Sequence, residues 1–365
     1  MKNKVYKTLL LLLLIPTALL ANPKKFRGKY TKEKLIQKEF SVNENALLTI
    51  KNRYGNINVT SWDENKVVIE IKIKVNGDDE DSVIERLEGI NIGFEQNQNL
   101  VTAKTRFGND NQSWWSKVKC NWYGSKVNME VNYTVKIPVT NHIDFTNDYG
   151  SITLNRISGN ANIHCDYGQV IIGELLGNSN TLYFDYSNNS TIGYMKKGEI
   201  NADYSDFVLN NADSLILHAD YTSSTIKKIN TLDFNCDYGS LEVEEATSIK
   251  GNGNYLDTKI GDISSKIDVT SDYGAIVIQK LTATIKLVNI HTDYTSVKVG
   301  YDTACTFDFA IKTSYGNITT DFETTHKSNK TIAKKHEGYY GATNSTNKIA
   351  ISTSYGSIKL TTAPK

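Results

Sequence analysis

Residues 215–243 read LILHADYTSSTIKKINTLDFNCDYGSLEV, and they contain two copies of one pattern seventeen residues apart. In each copy an acid and a tyrosine, Asp220-Tyr221 and Asp237-Tyr238, follow a stretch in which apolar and polar residues alternate. Six, four and two residues before the tyrosine stand Leu215, Leu217 and Ala219 in the first copy, and Leu232, Phe234 and Cys236 in the second. Alternation with period two marks a strand with one buried face. After the motif a second short alternation begins, with Leu241 and Val243 at the inward places.

The pattern extends in both directions. Its tyrosines are Tyr149, Tyr167, Tyr186, Tyr204, Tyr221, Tyr238, Tyr255, Tyr273, Tyr294, Tyr315 and Tyr355, with gaps of 17 to 21 residues until a final gap of 40. Four residues before them recur Phe145, Ile163, Leu182, Ile200, Val269, Ile290, Ile311 and Ile351. A repeat this short cannot bury its apolar face alone, whereas stacked repeats about 4.8 Å apart can. The expected fold is therefore all-β, a parallel β-solenoid with coils of about 18 residues over 141–365 and an insertion at 319–348. No helical stripe interrupts residues 143–318, and a β-sandwich would not hold one motif in register so many times.

Residues 40–140 read as a β-rich N-terminal cap. Alternation through Leu48, Ile50, Ile57 and Val59, and from Val67 to Val75, predicts strands, and Asp79–Leu87 predicts one short helix with acids in its first turn. Residues 22–39, rich in lysine, read as a flexible linker. Residues 1–21 carry Lys2, Lys4 and Lys7 before the apolar run Leu9–Leu14, with Ala18 and Ala21 as small cleavage-site residues: a Sec-type secretory signal. The expected location is the periplasm or the cell surface, with no membrane span after cleavage.

Composition narrows the function. Forty-one Lys and Arg balance 40 Asp and Glu, which gives no basic excess for nucleic acid. The four cysteines Cys120, Cys165, Cys236 and Cys305 match no zinc spacing. Cys165 and Cys236 share a register but lie too far apart for a disulfide, so they read as small core residues. Arg156 is the one arginine among the coils, and no catalytic triad, paired-carboxylate or phosphate-loop spacing stands out. The chain is read as non-enzymatic, with a polysaccharide lyase as the remotest alternative.

Two rows and one loop carry candidate chemistry. Asp148, Asp166, Asp185, Asp203, Asp220 and Asp237 would line up about 5 Å apart and repel by up to ~3.5 kcal/mol at an effective dielectric near 20. Either each carboxylate accepts the backbone N–H of its own corner as an Asx turn, which is the preferred reading, or the row binds calcium. The tyrosines, in phase with the buried positions, read as a packed ladder in preference to a platform for sugar rings. Small residues after them suit a corner of unusual backbone angle. Trp114, Trp115, Trp122 and Tyr123 crowd one loop, as a plug over the first coil or as a ligand-binding surface.

The chain resembles the bacterial putative-adhesin family of exported β-strand-repeat proteins, a domain of unknown function. The resemblance rests on Arg53-Tyr54-Gly55-Asn56-Ile57, on Tyr133–Pro138 leading into the first coil, and on Tyr-Gly-Ser-Ile at Tyr149–Ile152 and Tyr355–Ile358. It implies an exported scaffold that contacts a glycan or envelope protein, as an adhesin or as a periplasmic scaffold or sensor partner. It implies no catalytic residues and no cofactor.

Overall fold

A computed structural model describes residues 26–108, 127–330 and 332–364. The signal sequence and the loop with Trp114, Trp115, Trp122 and Tyr123 lie outside the described residues. Among those described, every regular element but one is a β-strand, and all the strands join one hydrogen-bonded sheet.

The N-terminal part comprises β1 (Tyr30–Ser41), β2 (Leu47–Arg53), β3 (Ile57–Trp62), β4 (Lys66–Gly77), α1 (Glu80–Glu88), β5 (Ile90–Asn97), β6 (Leu100–Phe107) and β7 (Asn128–Pro138). The repeats follow as β8 (His142–Asp148), β9 (Ile152–Ile157), β10 (Ala161–Asp166), β11 (Val170–Leu175), β12 (Asn180–Asp185), β13 (Ser190–Asp203), β14 (Asp206–Asp220) and the 59-residue β15 (Ser223–Leu281). The C-terminal part holds β16 (Leu287–Tyr301), β17 (Phe307–Ser314), β18 (Ile318–Thr320), β19 (His326–Asn329), β20 (Ala333–Tyr340), β21 (Lys348–Ser354) and β22 (Ile358–Thr362).

From β8 into β15 each repeat pairs parallel, and in register, with the next. Ile143 lies beside Ala161, Leu182 beside Ile200, Ile200 beside Leu217, and Leu217 beside Phe234. The positions four residues before the tyrosines are buried almost completely: Phe145, Ile163, Leu182, Ile200, Leu217 and Ile311 at 0% exposure, Phe234 at 2%. Each such side chain removed from water contributes about 1.5–3 kcal/mol, and every repeat supplies several, which is how a chain of short strands holds together.

The motif tyrosine is where the periodicity breaks. Instead of continuing the inward phase, every one from Tyr54 to Tyr355 has positive φ, between 50° and 64°. A left-handed residue costs an L-amino acid about 1–2 kcal/mol and turns the chain sharply. It also resets the alternation: the tyrosine points outward, and the residue after it points in. Ser187, Thr222, Leu256 and Thr295 are all buried there. The unusual backbone angle therefore belongs to the tyrosine and not to the small residue that follows.

Two boundaries differ from the sequence reading, and the insertion gains strands. Within the 22–39 linker, Tyr30 begins a twelve-residue strand, β1, paired antiparallel with β4 along its whole length. Its lysines and glutamates face outward and pair across the sheet, Lys72 with Glu33 and Lys66 with Glu39, as on a charged edge strand that blocks further pairing. Inside the 40–140 cap, β2 and β3 form a repeat of their own, parallel to β8 and β9. In the 319–348 insertion, β20 runs antiparallel along β17 and β19 along β20, covering the last edge.

Candidate functional site: the tyrosine ladder

Because each tyrosine leaves its repeat at the same corner, the rings stack. The order is Tyr54, Tyr149, Tyr167, Tyr186, Tyr204, Tyr221, Tyr238, Tyr255, Tyr273, Tyr294, Tyr355, Tyr315, with centroids 4.7–5.4 Å apart. From Tyr167 to Tyr315 neighbouring planes differ by 6° or less. At one strand spacing per step the ladder is roughly 50 Å long. Aromatic pairs contribute about 0.5–1.5 kcal/mol each beyond buried area, enough to offset much of the left-handed backbone cost.

From Tyr149 on, the tyrosines are 44–58% exposed. With each face covered by the next ring, that exposure belongs to the ring edges and hydroxyls. A platform offering flat faces to sugar rings is therefore excluded along the ladder; what it offers is a line of phenol edges. Partial burial first, then the neighbouring phenols and carboxylates, hold the Tyr167 and Tyr273 hydroxyls above the ordinary tyrosine range. They stay protonated donors at neutral pH.

The corner beneath the rings is built in two ways. Where Ser or Thr follows the tyrosine, its hydroxyl donates to two carbonyls: Ser205 Oγ to Phe184 O (3.1 Å) and Asp203 O (2.8 Å), Thr222 Oγ1 to Ala202 O (2.8 Å) and Asp220 O (2.9 Å). The same oxygens accept from the neighbouring backbone, Ser187 N–H to Ser205 Oγ and Ser205 N–H to Thr222 Oγ1. Where glycine follows, a carbonyl of the adjacent repeat occupies the place of a side chain: a Cβ on Gly168 would lie 2.0 Å from Gly150 O.

The aspartate row does not form Asx turns with its own corners. From Asp166 on, the carboxylates reach the next repeat instead. Asp203 N–H donates to Asp185 Oδ1 (3.2 Å), Asp220 N–H to Asp203 Oδ1 (3.2 Å), Asp237 N–H to Asp220 Oδ1 (3.0 Å) and Asn254 N–H to Asp237 Oδ1 (2.8 Å). One oxygen per residue is thus committed to the sheet, and these bonds offset the repulsion along the row. At its start Asp148 meets Arg53, Nη2 to Oδ2 at 2.6 Å, and Asp166 Oδ2 lies 3.1 Å from His164 Nε2. Burial, ahead of the neighbouring carboxylates, raises the Asp185 carboxyl above the usual range. Among the described residues, no group of three or more His, Cys, Asp or Glu is arranged to hold a metal ion.

The remaining candidates are plainly placed. Cys165, Cys236 and Cys305 are buried free thiols, and burial pushes Cys165 and Cys236 up to about 12. Arg156 forms an exposed ion pair with Glu174 on the neighbouring strand. No helix among the described residues is long and apolar enough to cross a membrane. The packed ladder expected from the sequence is present; its outward direction has no sequence signal, because the left-handed angle that turns the rings leaves no mark in the alternation before it.

No protein-family model matches the chain, and no curated protein matches it. Solved structures do. A putative adhesin from Parabacteroides merdae is 12% identical, covering 90% of this chain and 96% of its own, at a TM-score of 0.32. A putative adhesin from Parabacteroides distasonis is 13% identical, covering 76% and 94%, at 0.31. A putative lipid binding protein from Parabacteroides distasonis is 10% identical, covering 89% and 96%, at 0.33. The first two names agree with the family resemblance read from the Tyr-Gly motif; superposition at such scores carries no functional argument.

Proposed function

We propose that the chain is an exported, non-catalytic scaffold whose repeats wind as a parallel β-solenoid. It acts as a stiff rod that presents its tyrosine edge to a glycan or protein of the cell envelope. The observation that carries this reading is the unbroken ladder, twelve phenols at one spacing on one edge, a surface suited to a repetitive partner. Hydroxyls in a line donate and accept hydrogen bonds, and the adjacent carboxylates accept them, which is the chemistry of a polyhydroxylated or amide-bearing chain. A non-catalytic role fits the single coil arginine, whose partner is a surface glutamate, and fits carboxylates already bonded to the backbone.

Protease accessibility on intact cells tests the location. Cleavage or antibody labelling of intact cells places the rod outside, as an adhesin. Protection until the envelope is opened makes it a periplasmic scaffold. Contact is tested by replacing Tyr204, Tyr221 and Tyr238 together with Phe, which keeps the stack and deletes the hydroxyls. Binding to immobilised envelope glycans or envelope proteins then falls at least tenfold with thermal stability preserved; undiminished binding moves the contact away from the ladder. Calcium has no part in this reading, and millimolar calcium is expected to leave the melting temperature unmoved.

A further inference from the structure

The last rungs of the ladder are out of chain order. Tyr294 stacks on Tyr355 and Tyr355 on Tyr315, both at 4.7 Å. The backbone agrees: β21 pairs parallel with β16 on one side and with β17 on the other, so that Ile290, Ile351 and Ile311 stand in line. β22 likewise lies between β16 and β18. The segment Lys348–Thr362 is therefore wedged between two stretches that precede it in the chain.

The fit is close on both sides. Thr353 Oγ1 donates to Thr295 O (3.1 Å), and Thr313 Oγ1 donates to Gly356 O (2.6 Å). Lys348 Nζ donates to Asp308 Oδ2 (2.6 Å), and Asp321 accepts from Thr362 N–H (2.7 Å). At Gly316 and Gly356 a Cβ would lie 1.8 and 2.0 Å from the facing carbonyls of Gly356 and Thr295.

Occupant and walls also carry one pattern. Val288, Ile290, Thr292 and Tyr294 form one wall, Ile349, Ile351, Thr353 and Tyr355 the occupant, and Phe309, Ile311, Thr313 and Tyr315 the other wall. If the occupant leaves, the walls can close on each other, because Tyr294 and Tyr315 are separated by the same 21 residues as the directly stacked Tyr273 and Tyr294. With β20 held along β17, residues 341–347 are the connection to the occupant that must reopen for either arrangement. Two packings of one sequence are then available, and nothing in the slot distinguishes this chain's own segment from that of a second copy.

We propose that this slot is a docking site for the strand pair Lys348–Thr362 of a second copy, so that two chains exchange these segments and are joined at the Tyr315 end of their ladders. The proposal is independent of what the tyrosine edge binds. A chain's own segment competes at an effective concentration on the order of millimolar, so exchange is favoured when chains fold crowded together, as in export to a confined surface.

His291 and Ser352 report the exchange, since their side chains meet at 2.6 Å on the outer face of the slot. Full-length His291→Cys and Ser352→Cys, each with Cys120→Ser, are unfolded together, refolded at rising concentration and oxidised. Light scattering is expected to show a dimer of twice the chain mass whose share grows with concentration, with peptide mapping placing the disulfide between positions 291 and 352. Monomer at every concentration overturns the proposal. So does a dimer whose cross-link mapping shows no more 291–352 linkage than a control pairing of Ser352→Cys with Ser240→Cys.

Discussion

The two ends of the molecule solve the same problem with different chemistry. A stack of parallel repeats leaves open edges, and both ends close them by switching to antiparallel pairing: β5 along β6 and β4 along β7 at one end, β20 along β17 at the other. The N-terminal end is held by a buried polar network. Asn52 Nδ2 donates to Val131 O and to Asn147 Oδ1, Thr105 Oγ1 donates to Asn52 Oδ1, and the Thr105 hydroxyl meets the Tyr133 hydroxyl at 2.8 Å. The C-terminal end is plugged by aromatics, with Tyr301, Phe307, Phe309, Phe322 and Tyr340 packed ring to ring. A directional network fixes one register, whereas a cluster of rings tolerates rearrangement. The end built of rings is also the end where the chain is threaded out of order.

Breaking the plug should have the largest effect. Phe307 is fully buried against Tyr301, Phe322 and Tyr340, and Phe307→Ala is expected to cost about 3–5 kcal/mol at that end. Hydrogen exchange should show the loss confined to β16–β22, because a stack of repeats couples only neighbours. Uniform loss along the chain would mean that the ends and the middle are one cooperative unit.

Next comes Asn52→Ala, which strands the buried Thr105 and Asn147 groups for about 1–3 kcal/mol, read from denaturant midpoints. Asn52→Asp tests whether direction matters: it loses the two donated bonds while keeping the acceptor, and should be no better than Ala.

In the middle, Tyr221→Ala removes one ring with its two stacking contacts and leaves a left-handed alanine. Tyr221→Gly removes the same ring without the backbone strain, so it should be more stable than the alanine variant by about 1 kcal/mol. Equal stabilities would show that the corner, and not the ring, sets the angle at no cost.

The smallest effect is expected at Asp185→Asn, which keeps the oxygen that accepts Asp203 N–H. The folded state raises the Asp185 pKa, so the unfolded chain ionises first and the wild type loses stability as pH rises from below the ordinary carboxylate pKa. The Asn variant should therefore match the wild type at pH 3 and exceed it at pH 7 by under about 1 kcal/mol. Asn254 already occupies this row in the native chain.

These contrasts also show what a sequence can and cannot reveal. The inward residues Leu217, Phe234, Ile290 and Ile351 were legible because alternation records burial directly. The parallel register followed from the period. Leu241 and Val243, beyond the tyrosine, are buried as the second alternation implies; at the tyrosine itself the reading failed, since a single left-handed residue turns outward a ring that is in phase with the core, and aromatic residues seldom signal such an angle. Strand β1 was obscured by its charges: on an edge strand, lysine serves protection and not disorder. The order of the last rungs was invisible, because Tyr294, Tyr315 and Tyr355 head nearly identical segments and no local property says which stacks on which.

The spacing of the repeats has a consequence for engineering. Tyr204 and Tyr221 are 17 residues apart, Tyr273 and Tyr294 are 21 apart, and the rings are separated by 4.8 and 4.9 Å respectively. The tyrosine edge keeps its measure while turns elsewhere in the repeat absorb the extra chain. In the longer repeats these are compact turns closed by Ile285 N–H to Thr282 O and by Cys305 N–H to Asp302 O. Those two turns are natural graft points: an epitope or reporter spliced between Thr282 and Ile285 would sit away from the tyrosine edge and leave its spacing undisturbed.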